Sequence, residues 1–176
     1  MSMYVCYSVR GLLDRGEDKA LLRKHLAQMH GSLYKNDLRH LGDHCTVSPN
    51  NCDTVAKFRQ YLNSLVESGS DSSVLYWVVW YGREPIGFAK VIDYGMNTTP
   101  RDFYIELMYI KKKYRGEGIG TELIRCIKSR ANYDSKAPFV VSVGVACRNE
   151  DAIDFYKKNH FLPTSMRMQM FCDKTN

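Results

Sequence analysis

Apolar and polar positions divide the chain into a short series of elements. Tyr4 to Val9 alternates and is rich in aromatic and branched residues, which predicts a half-buried first strand. From about Glu17, the residues Leu21, Leu22, Leu26 and Met29 recur at helical spacing, and Gly31 stops the pattern after His30. Residues 31–50 show no such period. They form a long polar segment punctuated by Tyr34, His40 and His44, and unstructured segments of this length in a compact domain are usually functional. Asn51 or Asp53 caps a second helix with Val55, Phe58, Leu62 and Leu65 on one face, and Ser68-Gly-Ser-Asp-Ser-Ser73 closes it as a surface loop.

Val74 to Tyr81 and Ile86 to Tyr94 read as two strands joined by the turn Gly82-Arg-Glu-Pro85. The loop Gly95 to Arg101 leads into a third strand, where Phe103 to Ile110 is apolar and aromatic with one acid, Glu106, inside it. Three strands linked by short turns make an antiparallel meander. A helix then starts after Gly118 with Leu123, Ile124 and Ile127 on one face. It crosses to a strand at Phe139 to Val145, which predicts parallel pairing there. A helix from Asn149 to about Lys158 and a strand from Thr164 to Phe171 complete the series. In the last strand Met166, Met168 and Met170 alternate with Arg167 and Gln169, as core packing does. The expected class is α/β (α+β), with a central mixed, mostly antiparallel sheet of about six to seven strands and about four helices around it. Nothing repeats internally and no linker separates two cores, so residues 1–176 are expected to form a single domain.

Composition narrows the function classes. The 44% hydrophobic and 25% charged content is that of an ordinary globular chain, without an apolar run near the ~20 residues of a membrane helix. The N-terminus lacks the basic-then-apolar layout of a secretory signal, and the six cysteines form no C-x-x-C pair, so a cytoplasmic protein with reduced, mostly packed thiols is expected. The spacing of His40, His44, Cys45 and Cys52 matches no common zinc pattern, and no metal is expected. The net charge of +6 is scattered except at Lys111-Lys112-Lys113 beside Arg115, which reads as a solvated turn or as steering for a polyanion; nucleic acid is not the favoured partner.

The stretch Tyr104 to Thr121 carries the chemistry. A buried strand runs into Gly116, Gly118 and Gly120, and a helix starts at once. Glycines let a ligand approach converging backbone N–H groups while the helix N-terminus adds partial positive charge, so a phosphate or pyrophosphate is the expected guest. A P-loop would need Lys-Ser or Lys-Thr after its second glycine, which is missing. A Rossmann fingerprint fails because its third glycine falls on Thr121. What remains is Arg115-x-x-Gly118-x-Gly120 after a strand carrying Glu106. This resembles the coenzyme A pyrophosphate loop of the GNAT superfamily of N-acetyltransferases.

A second stretch, Arg148 to Phe161, is similar to the other hallmark of that family, N-x-x-A-x-x-F-Y followed by G-F, with Asn149, Ala152, Phe155, Tyr156 and Phe161 in place and His160 where the family has glycine. The order of predicted elements also resembles the GNAT fold. The resemblance implies acetyl-CoA as cosubstrate and an acceptor amine, either a small molecule or a protein, that attacks directly in a ternary complex. It implies that Met108, Tyr109 and Ile110 present a backbone N–H to the acetyl oxygen where the neighbouring strand splays away. The pyrophosphate would rest on Arg115, Gly116, Glu117, Gly118, Ile119, Gly120 and Thr121, with Asn149 and Ala152 along the cofactor arm. Tyr156 would protonate the leaving thiolate. An alkylamine with a pKa of ~10 must lose a proton before it attacks, and Glu106, an acid in an apolar strand, is the candidate base unless a lysine or arginine neutralises it. Within the family, Tyr104-Ile-Glu106 and Asn149-Glu150 are closest to the polyamine acetyltransferases, although Leu107 stands where those enzymes carry a second acid. Cys147 is expected to be a packed thiol rather than a nucleophile. A rival reading is a GNAT-fold acyl-CoA-binding regulatory protein without useful turnover, and a homodimer stays open.

Overall fold

Branched and aromatic residues at alternate positions build strands whose two faces can both be buried, and the middle of this chain is rich in them. The computed structural model describes residues 4–8, 73–95, 100–135 and 137–165, together with the helical residues 20, 24, 25, 27 and 28. Its order is β1 (Tyr4–Ser8), β2 (Val74–Tyr81), β3 (Glu84–Asp93), β4 (Arg101–Ile110), α1 (Ile119–Asp134), β5 (Phe139–Val143) and α2 (Glu150–Lys158), with one 3-10 turn at Lys112–Tyr114. The sheet order is β1-β2-β3-β4-β5; β1 to β4 pair antiparallel and β4 pairs parallel with β5 across α1. The meander and the parallel crossover are as the periodicity predicts. The described residues hold five strands. The expected last strand falls mostly outside them, as do the long segment 31–50 and the helix expected after Asn51, while Thr164 and Ser165 carry no regular structure.

One face of the sheet carries the core. Trp77, Val79, Ala89, Val91, Phe103 and Ile105 pack against Leu123, Ile124, Ile127 and Ala131 of α1, and Tyr156 of α2 joins them. Phe103, Ile105, Leu123 and Ile127 are fully buried, each worth about 1.5–3 kcal/mol relative to exposure. The opposite face is buried as well through Tyr76, Val78, Phe88 and Tyr109, with the Phe88 and Tyr109 rings 6.3 Å apart.

Alternation alone misplaces part of β4. Ile105 pairs with Val91 and Leu107 with Lys90, so Glu106 is the extra residue of a β-bulge. The core-facing residues accordingly run Phe103, Ile105, Met108, Ile110, with the phase shifted across Glu106. The hairpin before it is tighter than its sequence suggests: Tyr81 pairs with Glu84 across the two-residue loop Gly82-Arg83, Gly82 has φ of 57°, and Glu84 and Pro85 belong to β3. A second irregularity, between Val79 and Trp80, accommodates Pro85, which cannot donate to a regular ladder.

At the far end of β3 and β4 an ion pair closes the sheet. Asp93, 7% exposed, accepts from Arg101 Nε at 2.9 Å and from a second nitrogen of the same guanidinium, and also from Gly95 N at 2.8 Å. Arg101 Nη1 reaches on to the Asp134 carbonyl at 2.5 Å, which ties in the end of α1, and its guanidinium lies 5.0 Å over the Phe103 ring. Burial alone would raise the Asp93 pKa, but the Arg101 and Gly95 hydrogen bonds outweigh it and hold the carboxyl below the usual range.

Candidate active site

The site begins where β5 stops. Pairing between β4 and β5 runs from Arg101↔Phe139 to Ile105↔Val143 and then ends, although β4 continues to Ile110. Residues 144–146 leave the sheet, two residues earlier than the apolar run to Val145 predicts, and among the described residues no strand pairs with that edge of β4 from Glu106 onward. This is a fork between parallel strands at their carboxyl ends, a place where main-chain N–H and C=O groups are available to a ligand. The splay expected around Met108 to Ile110 is present.

Beyond Ile110 the chain is folded back on itself. Arg115 Nε donates to the Ile110 carbonyl at 2.9 Å and its guanidinium sits 5.8 Å from the Tyr109 ring. The lysine cluster is largely engaged. Glu84 accepts from Tyr114 OH at 2.6 Å, Lys111 Nζ at 2.9 Å and Lys113 Nζ at 3.1 Å. These partners, Tyr114 first, hold its pKa down to about 2. Two of the three lysines thus anchor the β2–β3 hairpin to the turn rather than standing free to steer an anion.

The glycine loop follows. Gly116 and Gly118 have φ of 86° and 77°, the region where residues with a Cβ are strained, and a Cβ at either would meet no atom of the described residues. Gly118 caps α1 without a side-chain hydrogen bond, and the first bond of the helix is Glu122 N to Gly118 O at 3.0 Å. The N–H groups of Ile119, Gly120 and Thr121 therefore precede the intrahelical ladder and are available to an anion over the loop. Gly120 is small for a separate reason. A Cβ there would stand 2.9 Å from the Phe155 ring of α2, so the two helices meet at this glycine.

That contact brings the second motif to the first. Asn149 caps α2, its Oδ1 accepting from Ala152 N at 3.2 Å, which stabilises the helix start; Ala152 packs half-buried against the core. Tyr156 is buried, its ring edge-on to Phe155 at 5.1 Å and to Phe161 at 5.2 Å. The end of α2 explains His160. Phe161 N donates to Tyr156 O and His160 N to Lys157 O, both at 3.0 Å, which is a Schellman motif with His160 in its left-handed position at φ of 66°. Histidine takes the place that glycine would hold more easily, and the turn is kept.

Glu106 lies on the face of the sheet away from α1. Its side chain is 37% exposed and forms an ion pair with Lys90, whose neighbours Ala89 and Val91 face the core. The candidate base and Tyr156 are thus on opposite sides of the fork. Lys90 is the neutralising cation that one strand alone does not reveal, because it comes from β3. Cys147 is exposed on the turn before α2, not packed; Cys6 and Cys126 are partly buried free thiols. Residues 40–52, with His40, His44, Cys45 and Cys52, lie outside the described residues, and among the described ones no helix is long and apolar enough to cross a membrane.

A forked mixed sheet with a glycine-capped helix beside the fork defines an α/β protein whose central helix opens next to a parted pair of strands. The chain belongs to the acetyltransferase (GNAT) family, whose pattern matches residues 36–161. Solved structures of other proteins share the fold, among them the three that follow. A possible acetyltransferase from Clostridium difficile 630 has a TM-score of 0.64 at 14% identity, covering 99% of this chain and 100% of its own. The aminoglycoside N-acetyltransferase AAC(6')-Iy, in complex with CoA, has a TM-score of 0.64 at 12% identity, covering 98% and 95%. A ribosomal-protein-alanine N-acetyltransferase from Brucella melitensis biovar Abortus 2308 has 0.59 at 16%, covering 98% and 99%. A comparison with curated protein sequences finds no match.

Proposed function

We propose that this chain is an acetyl-CoA-dependent N-acetyltransferase acting on an acceptor amine by direct attack, with both substrates bound at once. The observation that carries the reading is the fork between β4 and β5, opening beside the glycine-capped start of α1. The residues fit a nucleotide thioester. The first-turn N–H groups of Ile119, Gly120 and Thr121 suit a pyrophosphate, the positive-φ glycines Gly116 and Gly118, which carry no side chain, let it come close, and the edge from Met108 to Ile110 suits the amides of the cofactor arm. CoA bound to AAC(6')-Iy supports the same assignment.

Acetyl-CoA supplies the acetyl group as a thioester. The C–N bond forms as the C–S bond breaks, the amine loses a proton and the thiolate gains one. In this reading Glu106, on the face away from α1, takes the amine's proton directly or through water, and a backbone N–H near Met108 to Ile110 stabilises the carbonyl oxygen. Tyr156, on the α1 side, protonates the sulfur. Acid and base on opposite faces of the fork match an amine arriving from one side and a thiolate departing on the other. Holding the two substrates together supplies much of the acceleration, since effective molarities of ~10⁵ M or more are reached when reactants are aligned.

The Lys90–Glu106 ion pair favours a second reading, an acyl-CoA-binding protein with little turnover, because the candidate base is already engaged by a cation. Radiolabelled acetyl-CoA added with the purified protein to a cell extract separates the two. Label in acid-precipitable protein or in the soluble amine fraction is the expected result, and it tells a protein acceptor from a small one. Tight acetyl-CoA binding with label in neither fraction would establish the second reading.

A further inference from the structure

One glycine of the fork is explained neither by backbone conformation nor by the anion loop. Gly144 directly follows the last residue of β5 and is not in the left-handed region. A Cβ on it would stand 2.8 Å from the hydroxyl of Tyr104 and 3.8 Å from its Cζ. The phenol of Tyr104 therefore reaches across from β4 and places its oxygen over the backbone of Gly144, where the two strands part. A side chain at 144 would move it.

Tyr104 lies between Phe103 and Ile105, which face α1, so its own side chain is on the other face, the one that carries Lys90 and Glu106. Tyr94 stands beside it, ring centroids 6.3 Å apart, which steadies the phenol in one place. A phenol oxygen held at a fork, two residues along the strand from a carboxylate and on the same face, can accept a hydrogen bond from an amine N–H as readily as it donates one. We propose, on the acetyl-transfer reading above, that Tyr104 is an acceptor-binding residue: its hydroxyl hydrogen-bonds the attacking amine, and Gly144 leaves the space that lets it do so. Glu106 and Tyr104 then hold the nitrogen from two sides on the face away from α1, and the loop from Gly116 to Gly120 plays no part in this contact.

The test uses the full chain, radiolabelled acetyl-CoA and three amine probes: neamine, spermidine and a peptide with an N-terminal alanine. Loss of one hydrogen bond in Tyr104→Phe should raise the KM of whichever probe accepts label about three- to tenfold, with the KM of acetyl-CoA unchanged. Gly144→Ala should act in the same direction by displacing the hydroxyl. Adding Gly144→Ala to Tyr104→Phe should change the acceptor KM little further, because without the hydroxyl the new methyl meets only the ring carbon at 3.8 Å. An unchanged acceptor KM in Tyr104→Phe, or effects that simply multiply in the double variant, would overturn the assignment while leaving acetyl transfer standing. Label in none of the probes and in neither fraction of the cell extract, with acetyl-CoA still bound, would overturn the transfer reading and this assignment with it.

Discussion

The two ends of β4 are built on opposite principles. At the Arg101 end the strand is paired on both sides, and the Arg101 guanidinium links Asp93 of β3 to the carbonyl of Asp134 at the end of α1. Near the Ile110 end the partner strand has gone, the next chain segment contains two residues with φ above 70°, and the helix start has no side-chain cap. One end is satisfied within the protein, and the other, on the reading proposed above, by a ligand. Hydrogen-bonding groups without a described partner gather at that end, and the packing at the other end allows the arrangement to persist.

Variants at each end should separate binding from folding. Gly118→Val should produce the largest change. It forces a branched residue into the left-handed region and covers the N–H groups proposed to hold the pyrophosphate, so affinity for acetyl-CoA should fall by about a hundredfold or more, read by calorimetry. Some thermal stability should be lost as well, because a branched residue is strained there whatever the space around it, so affinity is read on the folded protein. An intact affinity would mean the loop does not hold the cofactor.

Arg101→Ala makes the converse cut. Leaving the Asp93 carboxylate buried without its cation should cost about 3 kcal/mol of folding stability in urea titrations, with acetyl-CoA affinity of the folded protein unchanged. The same pair sets an acid limit. Since the folded-state pKa of Asp93 lies below its unfolded value, its contribution is present at neutral pH and is lost as pH falls from the ordinary carboxylate range through that lowered value. Wild type should therefore lose more stability across this range than Arg101→Ala does, and equal losses would remove the ion pair as the cause.

Tyr156→Phe keeps the ring against Phe155 and Phe161 and removes only the hydroxyl. Turnover should fall about a hundredfold with acetyl-CoA affinity retained; equal turnover would remove the proton-donor role. The smallest effect is expected at the end of α2. His160→Gly relieves the left-handed strain of the Schellman turn and should stabilise the fold by roughly 0.5 to 1 kcal/mol without altering activity, measured by urea unfolding.

Much of this plan is legible in the chain. Alternation locates β2, β3 and β4, the period of Leu123, Ile124 and Ile127 locates α1, and the closely spaced glycines before it mark the loop from which that helix starts. What stays hidden depends on pairing. The bulge at Glu106 depends on how β4 registers with β3, and nothing in an apolar run marks an extra residue. The partners Lys90 for Glu106, Glu84 for Lys111 and Lys113, and Asp93 for Arg101 all cross between segments, so local spacing could not match them. Gly144 did leave a signal. An isolated glycine inside a strand pattern marks a bulge or a close approach, and here it marks the end of β5 and the place of Tyr104.

The bulge also defines what a regular β4 would be. Without Glu106, β4 would read Phe103, Tyr104, Ile105, Leu107, Met108, Tyr109, Ile110, and its core-facing residues would fall on every second position without a break. The regular strand is thus the shorter one, and Glu106 is the residue that breaks it. Deleting that single codon, rather than substituting the residue, should yield an ordinary ladder without its carboxylate, a reference protein against which the role proposed for Glu106 can be measured.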